Sequence, residues 1–158
     1  PSEGFLFFGL MKVQGDPYVI EYNCRLGDPE TQIVLPLLET DLLHLMDGLA
    51  NGLLSEIDVS LSPKAATAVI LASEGYPGAY KKGERVVLPD PKTIGKDQHI
   101  VHAGTSTVDG EVVTSGGRVM ACVGTGADVK QAAEKAYALA EAVQFKGKTF
   151  RSDIGTVA

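Results

Sequence analysis

The sequence is poor in cysteine, in basic charge and in long apolar runs, and each shortage narrows the class of protein. Its only cysteines, Cys24 and Cys122, are too few and too far apart for a disulfide scaffold or a zinc knuckle. The fourteen lysines and arginines are outnumbered by twenty acidic residues, and the net charge is −6. The chain therefore lacks the excess of basic residues that binds a nucleic-acid backbone. No run approaches the ~18 apolar residues that span a bilayer. We therefore predict a reducing, cytoplasmic setting and neither a nucleic-acid nor a membrane partner.

What is present is typical of a globular protein. Hydrophobic residues make up 44% of the 158 residues and charged residues 22%. This length suits one ordinary domain or two small ones. The first residue is Pro1, and the segment that follows it already leads into a strand, so we expect a fragment whose N-terminal part is absent.

The first sixty residues predict a hairpin followed by two helices. Two β-rich runs, Phe5–Val13 and Tyr18–Arg25, flank the turn residues 14–17. Asp28 is suited to an N-cap and Pro29 to the first helical position, so a short helix is expected to begin there. Thr40 or Asp41 is suited to the N-cap of a second helix, which should end at Gly52.

The pattern changes near Ser60 from helical to short strands, and we place a domain boundary there, giving domains 1–60 and 61–158. The expected strands of the second part are Ala65–Ser73, Arg85–Leu88, His99–Ala103, Val112–Thr114 and Arg118–Val123. Asp128 caps a helix with an alanine-rich apolar stripe. The predicted fold class is α+β, with a small, mainly antiparallel β domain and a packed helix at the end.

The segment Tyr18–Gln32 carries the clearest chemistry. Glu21, Asn23 and Arg25 alternate along a predicted strand and would therefore share one face. A carboxylate and an amide oxygen are hard ligands suited to Mg²⁺, and arginine is a bidentate phosphate donor. A helix starting at Pro29 would add free backbone amides for an anion. The competing interpretation is the polar outer face of an ordinary edge strand.

A family resemblance bears on these alternatives. The segment EYNCRLGDPETQ resembles the signature of the phosphoribosylamine–glycine ligase family, also called glycinamide ribonucleotide synthetases. Leu26 stands where the family usually has phenylalanine, on the apolar face. The segments GFLFFGLM, SEGYPGAYKKG, VHAGT, GGRVMACVGTG and FRSDIG resemble the same family in order along nearly the whole chain.

The resemblance implies an ATP-dependent ligase of purine biosynthesis that joins 5-phosphoribosylamine to glycine through a glycyl phosphate. This chain would then hold the C-terminal portion of an ATP-grasp domain and the family's C-terminal domain, and would be inactive alone. The implied metal ligands for Mg²⁺ or Mn²⁺ are Glu21 and Asn23, and the implied catalytic residues are Arg25 and Asp28. The implied substrate-binding residues are Gly27, Pro29 and Arg118, with ATP, glycine and phosphoribosylamine as partners.

Other motifs have plainer explanations. His99 and His102 suggest zinc, but their odd separation on a strand puts them on opposite faces, and they are interpreted, like His44, as structural. Gly124 and Gly126 faintly suggest a phosphate loop, but Asp128 would repel an anion, so helix capping is the better account. For Arg118, a simple hairpin-turn position remains open.

Two rival functions are considered. The first is a non-catalytic binding or interaction domain derived from an ATP-grasp fold; the joint presence of Glu21, Asn23 and Arg25 argues against it. The second is a different ATP-grasp ligase, such as a carboxylase subunit, which the Gly27–Glu30 continuation disfavours.

Overall fold

The chain contains both helices and sheets, arranged in two compact units. The computed structural model describes residues 4–156, and the chain divides into Pro1–Ser62 and Pro63–Ala158. We call these unit 1 and unit 2. The sequence placed the change near residue 60, and the division by contacts falls after Ser62. Within residues 4–156, none of the helices has the length and apolar character needed to cross a membrane.

Unit 1 begins with the predicted hairpin. Strand β1 (Phe7–Val13) pairs antiparallel with β2 (Asp16–Asn23), and a bulge interrupts the register between Gly9 and Leu10. The two residues that link the strands, Gln14 and Gly15, both have positive φ (52° and 103°). Such a pair gives a turn whose twist matches that of the flanking strands, which explains the tight connection.

Two helices and two 3₁₀ turns complete unit 1. Helix α1 covers Thr31–Val34 and continues into a 3₁₀ turn at Leu35–Leu37; α2 covers Leu42–Ala50, and a second 3₁₀ turn follows at Leu54–Glu56. The expected N-cap of α2 is confirmed, because Asp41 Oδ1 accepts from His44 N at 2.9 Å. Gly52, with φ of 71°, follows the end of α2 as expected.

Unit 2 is built on a four-stranded antiparallel sheet. Its strands are β3 (Ala65–Ser73), β4 (Gln98–His102), β7 (Arg118–Gly126) and β8 (Lys148–Thr149), in the order β4-β7-β3-β8. Strands β5 (Thr105–Val108) and β6 (Glu111–Thr114) form a separate hairpin, and a 3₁₀ turn lies at Pro91–Thr93. Helix α3 (Val129–Ala142) packs on β3 and β7 and closes the core.

The glycines at the end of β7 let α3 approach the sheet closely. A Cβ on Gly124 would lie 2.2 Å from the Ala132 carbonyl oxygen, and one on Gly126 would lie 2.9 Å from Ala132 N. These positions therefore serve helix packing, in keeping with the preference for a structural account over a phosphate loop. The expected cap is confirmed, because Asp128 Oδ1 accepts from Gln131 N at 2.8 Å.

Some expected elements differ in unit 2. The predicted strand Arg85–Leu88 is wrong: Arg85 and Val87 make single bridges to two different partners, Val113 and Gln144. Strands β5 and β8 were not predicted. His99 and His102 are both exposed, and His102 Nδ1 lies 2.9 Å from Thr105 Oγ1.

Candidate functional site

Strand β2 brings the two proposed metal ligands to its C-terminal end. Glu21 and Asn23 are two residues apart on β2, so their side chains leave the same face of the hairpin. Glu21 pairs with Gly9 of β1, where a Cβ would lie 2.9 Å from Glu21 Cγ. The glycine therefore gives the stem of the glutamate the space that it occupies. Glu21 is exposed and Asn23 half-buried.

Arg25 lies beyond the strand rather than on it. The strand was expected to reach Arg25, but β2 ends at Asn23 and the chain bends at Cys24 and Arg25. The expected shared strand face with Glu21 and Asn23 is therefore wrong for the arginine. Its side chain is exposed, and Nη1 donates to the Leu26 carbonyl at 2.8 Å. This bond uses one of the five N–H donors of the guanidinium, and the others are of the type that binds phosphate.

A tight turn follows, in which the Gly27 carbonyl accepts two hydrogen bonds. The Gly27 carbonyl accepts from Thr31 N at 3.0 Å and from Thr31 Oγ1 at 2.5 Å. Gly27 itself is buried, and a Cβ there would lie 2.4 Å from Glu30 Oε2 and 3.0 Å from Phe7 Cε2. A larger residue there would displace the Glu30 carboxylate and press against the Phe7 ring. The Asp28–Pro29 peptide bond inside the turn is cis.

The helix expected from Pro29 begins later and is shorter. Its N-cap is Glu30, without a side-chain cap, and α1 holds only the four residues Thr31–Val34. The predicted N-cap Asp28 and first helical residue Pro29 are therefore wrong as helix positions, because the turn around the Gly27 carbonyl comes first. So short a helix has little dipole, and the Glu30 carboxylate stands at its start. The anion site expected on these backbone amides loses its basis.

Gln32 belongs to the same segment and carries an unusual atom. Its Oε1 is buried and has no hydrogen-bond partner within residues 4–156. A buried acceptor without a donor is costly, by about 1–3 kcal/mol. The segment EYNCRLGDPETQ includes Gln32, but nothing in the sequence indicates that its side-chain oxygen is buried.

The residues present fit part of a magnesium site. Over the described part of the chain, no group of three or more histidine, cysteine, aspartate and glutamate side chains could hold a metal ion. Glu21 and Asn23 supply one carboxylate and one amide oxygen, which are hard ligands of the type that Mg²⁺ binds. Mg²⁺ usually binds through only one or two carboxylates and takes phosphate oxygens and water for the rest. The pair therefore suits Mg²⁺ beside a phosphate better than a closed protein cage.

The remaining proposed site residue, Arg118, belongs to unit 2. It is the first residue of β7 and is half-buried. Its carbonyl accepts from Gly104 N at 2.8 Å. The preceding Gly116 and Gly117 connect it to the buried Thr114 at the end of β6. The main chain at Arg118 is therefore fixed by a hydrogen bond, which suits a side chain that has to keep one orientation.

The sequence of unit 2 matches a known family. The family described as "Phosphoribosylglycinamide synthetase, C domain" matches residues 66–157. The chain belongs to this family. The match covers the whole described sheet of unit 2 except the first residue of β3.

Similar proteins extend the likeness to unit 1. The phosphoribosylamine–glycine ligase of Leptospira interrogans is 43% identical over 156 residues, which is 98% of this chain and 36% of that protein. The crystal structure of the phosphoribosylamine–glycine ligase of Thermotoga maritima has a TM-score of 0.76 at 42% identity, and the match covers 95% of this chain and 36% of that one. The chain thus spans about a third of the length of the curated relatives that it matches.

A more distant structure shares the fold alone. The biotin carboxylase subunit of pyruvate carboxylase has a TM-score of 0.60 at 16% identity, over 90% of this chain and 32% of that one. This likeness shows a shared fold and nothing further. The much higher identity to the glycine ligases sets the chain apart from the carboxylase group that was considered as a rival.

Proposed function

We propose that the protein to which this chain belongs is an ATP-dependent ligase of purine biosynthesis that joins 5-phosphoribosylamine to glycine. The observation that carries the proposal is the 43% identity to a phosphoribosylamine–glycine ligase over 98% of this chain. Units 1 and 2 correspond in this proposal to the last portion of an ATP-grasp domain and to the C-terminal domain. The partners are small molecules, namely ATP, glycine and phosphoribosylamine, and the compartment is the cytoplasm.

The reaction activates a carboxylate. A carboxylate oxygen of glycine attacks the γ-phosphorus of ATP, and the bond to the β–γ bridging oxygen breaks, giving glycyl phosphate and ADP. The amine of phosphoribosylamine then attacks the glycyl carbon and loses a proton. Inorganic phosphate leaves with one oxygen that came from glycine, and the amide of glycinamide ribonucleotide remains. Catalysis of such a transfer depends on positioning and on stabilising charge at the phosphoryl oxygens.

The residues of unit 1 take the charge-bearing roles. Glu21 and Asn23 would hold Mg²⁺ or Mn²⁺, and the bound ion would neutralise negative charge on the phosphates. Arg25, with an exposed guanidinium two residues beyond the end of β2, stabilises the phosphoryl group in transfer. Asp28 orients the amine, and Gly27 and Pro29 shape the turn on which it lies. In unit 2, Arg118 binds the phosphate of the sugar.

An isotope experiment tests the reaction. The full-length protein is incubated with Mg²⁺, ATP, phosphoribosylamine and glycine labelled with ¹⁸O in its carboxylate. One labelled oxygen is expected in inorganic phosphate for each turnover, because the acyl phosphate bond breaks at the carbon. Matched controls omit glycine or phosphoribosylamine in turn. Formation of the amide with unlabelled phosphate would contradict the acyl phosphate, and no amide at all would contradict the function.

A second measurement tests the metal ligand within the same protein. Glu21→Gln keeps the size of the side chain and removes the charge that a metal needs. Turnover should collapse at low magnesium and recover in part as magnesium is raised, while the melting temperature stays close to wild type. Wild-type activity across the titration would show that Glu21 is a surface residue.

A further inference from the structure

Residues 115–118, which lead into β7 and include its first residue, are called here the glycine turn. The end of β3 forms hydrogen bonds to one side of it. Ser73 N donates to the Gly117 carbonyl at 2.8 Å, and Ser73 Oγ donates to the Gly116 carbonyl at 3.2 Å. Ser73 is a buried residue of β3. Two consecutive carbonyls are therefore tied to one fixed side chain and its amide, directly before Arg118.

Gly104 holds the glycine turn from the other side. Gly104 N donates to the Arg118 carbonyl at 2.8 Å, and the Gly104 carbonyl accepts from Ser115 N and Gly116 N at 2.8 and 3.1 Å. A Cβ on Gly104 would lie 2.5 Å from the Arg118 carbonyl oxygen and 2.6 Å from Gly116 Cα. The two stretches of main chain thus touch directly, which only glycine permits.

Tyr76 covers the residue next to Arg118. A Cβ on Gly117 would lie 2.0 Å from Tyr76 Cδ2 and 2.6 Å from Cε2, so the aromatic ring lies directly against the glycine. Tyr76 N donates to the Ser73 carbonyl at 3.0 Å, which fixes the start of the tyrosine's loop to the same strand end. Tyr76 is 44% exposed, so its position is not explained by burial in the core.

We propose that Tyr76 is a positioning residue that fixes the direction of Arg118 toward the phosphate of the sugar-phosphate substrate. This inference rests on the proposed function, in which Arg118 binds that phosphate. Ser73 and Gly104 hold the carbonyls of the glycine turn, and the ring limits the movement of the main chain at Gly117. Glycine has the widest choice of backbone conformations, and the ring restricts the freedom that these hydrogen bonds leave at Gly117, so removing the ring should loosen the direction of Arg118. A planar guanidinium needs that direction to bind phosphate with two hydrogen bonds.

Kinetics of the full-length ligase tests the proposal. Tyr76→Ala should raise KM for phosphoribosylamine by about tenfold, because small misplacements of a binding group weaken only the contact that it makes. KM for ATP and KM for glycine should stay near wild type. Tyr76→Phe keeps the ring and should restore the wild-type KM. A purely structural role would move all three constants or the amount of folded protein. If Tyr76→Ala does not fold, Tyr76→Leu is measured in the same way.

A double-mutant cycle separates this inference from the function beneath it. If Tyr76 acts through Arg118, Tyr76→Ala combined with Arg118→Ala should have the same KM as Arg118→Ala alone. An increase in the double mutant beyond Arg118→Ala overturns the positioning role. A raised KM in Arg118→Ala with an unchanged KM in Tyr76→Ala also overturns it, while leaving the phosphate role of Arg118 intact. An unchanged KM in Arg118→Ala overturns that role and this inference with it.

A matched control removes a different aromatic ring from the same unit. Tyr137 packs against Phe150 at 6.2 Å between ring centroids, and its hydroxyl donates to the Arg151 carbonyl and accepts from Ile154 N. Tyr137→Ala should lower the melting temperature without selective change in KM for phosphoribosylamine. A selective rise in the control equal to that in Tyr76→Ala would overturn the proposal, because the effect would then follow from loss of stability.

Discussion

The two units differ most in where their apolar side chains lie. In unit 2, large side chains of the central strands are withdrawn from water, and Leu71 and Met120 are both 0% exposed. In unit 1, the hairpin leaves its large side chains in water, and Ile20 is 63% exposed and Tyr22 68% exposed. Unit 2 therefore builds its own core, whereas the hairpin of unit 1 does not.

Both faces of the hairpin are apolar and exposed. Neighbouring residues of a regular strand point to opposite faces, and Leu10 and Met11 on β1, like Tyr18 and Val19 on β2, are exposed in succession. A two-stranded sheet alone is marginally stable in water. The hairpin that carries Glu21 and Asn23 therefore lacks a core of its own, and this chain spans only 36% of the length of a relative that it matches. The comparison shows that the proposed metal ligands lie on the unit that is less able to fold alone.

Expressing the two units separately should give the largest difference in stability between them. Residues 63–158 alone should fold and unfold cooperatively, because the sheet and α3 of unit 2 share one core. Residues 1–62 alone should be unfolded or associated, because the apolar faces of their hairpin have no cover. Circular dichroism during a urea titration, with sedimentation for the association state, measures both. A cooperative, monomeric unit 1 would contradict the comparison.

A pair of single substitutions gives a finer test. Leu71→Ala removes a fully buried side chain from β3 and should cost about 2–5 kcal/mol in the free energy of unfolding. Ile20→Ser removes an exposed side chain and should change the stability of this chain by only about 0.5 kcal/mol or less. In the full-length protein the same Ile20→Ser change should cost more. Equal effects in the chain and in the full-length protein would show that Ile20 stays in water.

Elements stabilised by local contacts were predictable from the sequence. The hairpin, α2 and α3 follow from turn residues, from the caps Asp41 and Asp128 and from apolar spacing, and all are present. The helix expected at Pro29 was wrong, because a capping pattern and a tight turn use the same residue types. Here the Gly27 carbonyl takes the hydrogen bonds of Thr31 first.

Features that depend on distant partners were not predictable. The segment at Arg85–Val87 alternates like a strand, but it meets two different partners and forms no ladder. The sequence suggested the types of the site residues, since an acid, an amide and an arginine recur at short spacing. It gave no indication that β2 ends before Arg25 or that Tyr76 lies on Gly117, because both depend on contacts between segments.

Substitution of the exposed arginine sharpens the contrast between chemistry and stability. In the full-length protein, Arg25→Lys keeps the charge but loses the planar fork, so kcat should fall by about a hundredfold, the scale for one preorganised donor. Within residues 4–156, the side chain of Arg25 donates only to the neighbouring Leu26 carbonyl, so the melting temperature should stay unchanged. Steady-state kinetics and a melting curve on the same sample measure the two effects. Near-wild-type turnover would remove Arg25 from the mechanism.

The smallest expected effect concerns an ion-pair cluster that belongs to unit 2. Asp97 Oδ1 lies 2.8 Å from Lys64 Nζ, and Oδ2 lies 2.9 Å from Lys135 Nζ, so one carboxylate joins the start of β3 to α3. Hydrogen bonds from both lysines hold the pKa of Asp97 well below its ordinary value of 3.8. A depressed pKa in the folded state means that the folded state favours the ionised carboxylate. Its contribution to stability is therefore complete above about pH 4 and is lost as the pH falls toward the lowered pKa.

Asp97→Asn, made in residues 63–158, tests the predicted direction of this pH dependence of stability. The urea midpoint of the variant should lie below that of wild type at pH 7, and the gap should narrow as the pH falls below about 4, because the wild-type carboxylate then becomes protonated. Asp153→Asn is the matched control: Arg151 also lowers the pKa of Asp153, but that pair is exposed and spans only two residues of the chain. Its gap should be smaller at every pH, because an exposed local ion pair adds little. A gap for Asp97→Asn that stays constant or widens in acid would show that the cluster acts through its shape and not through its charge.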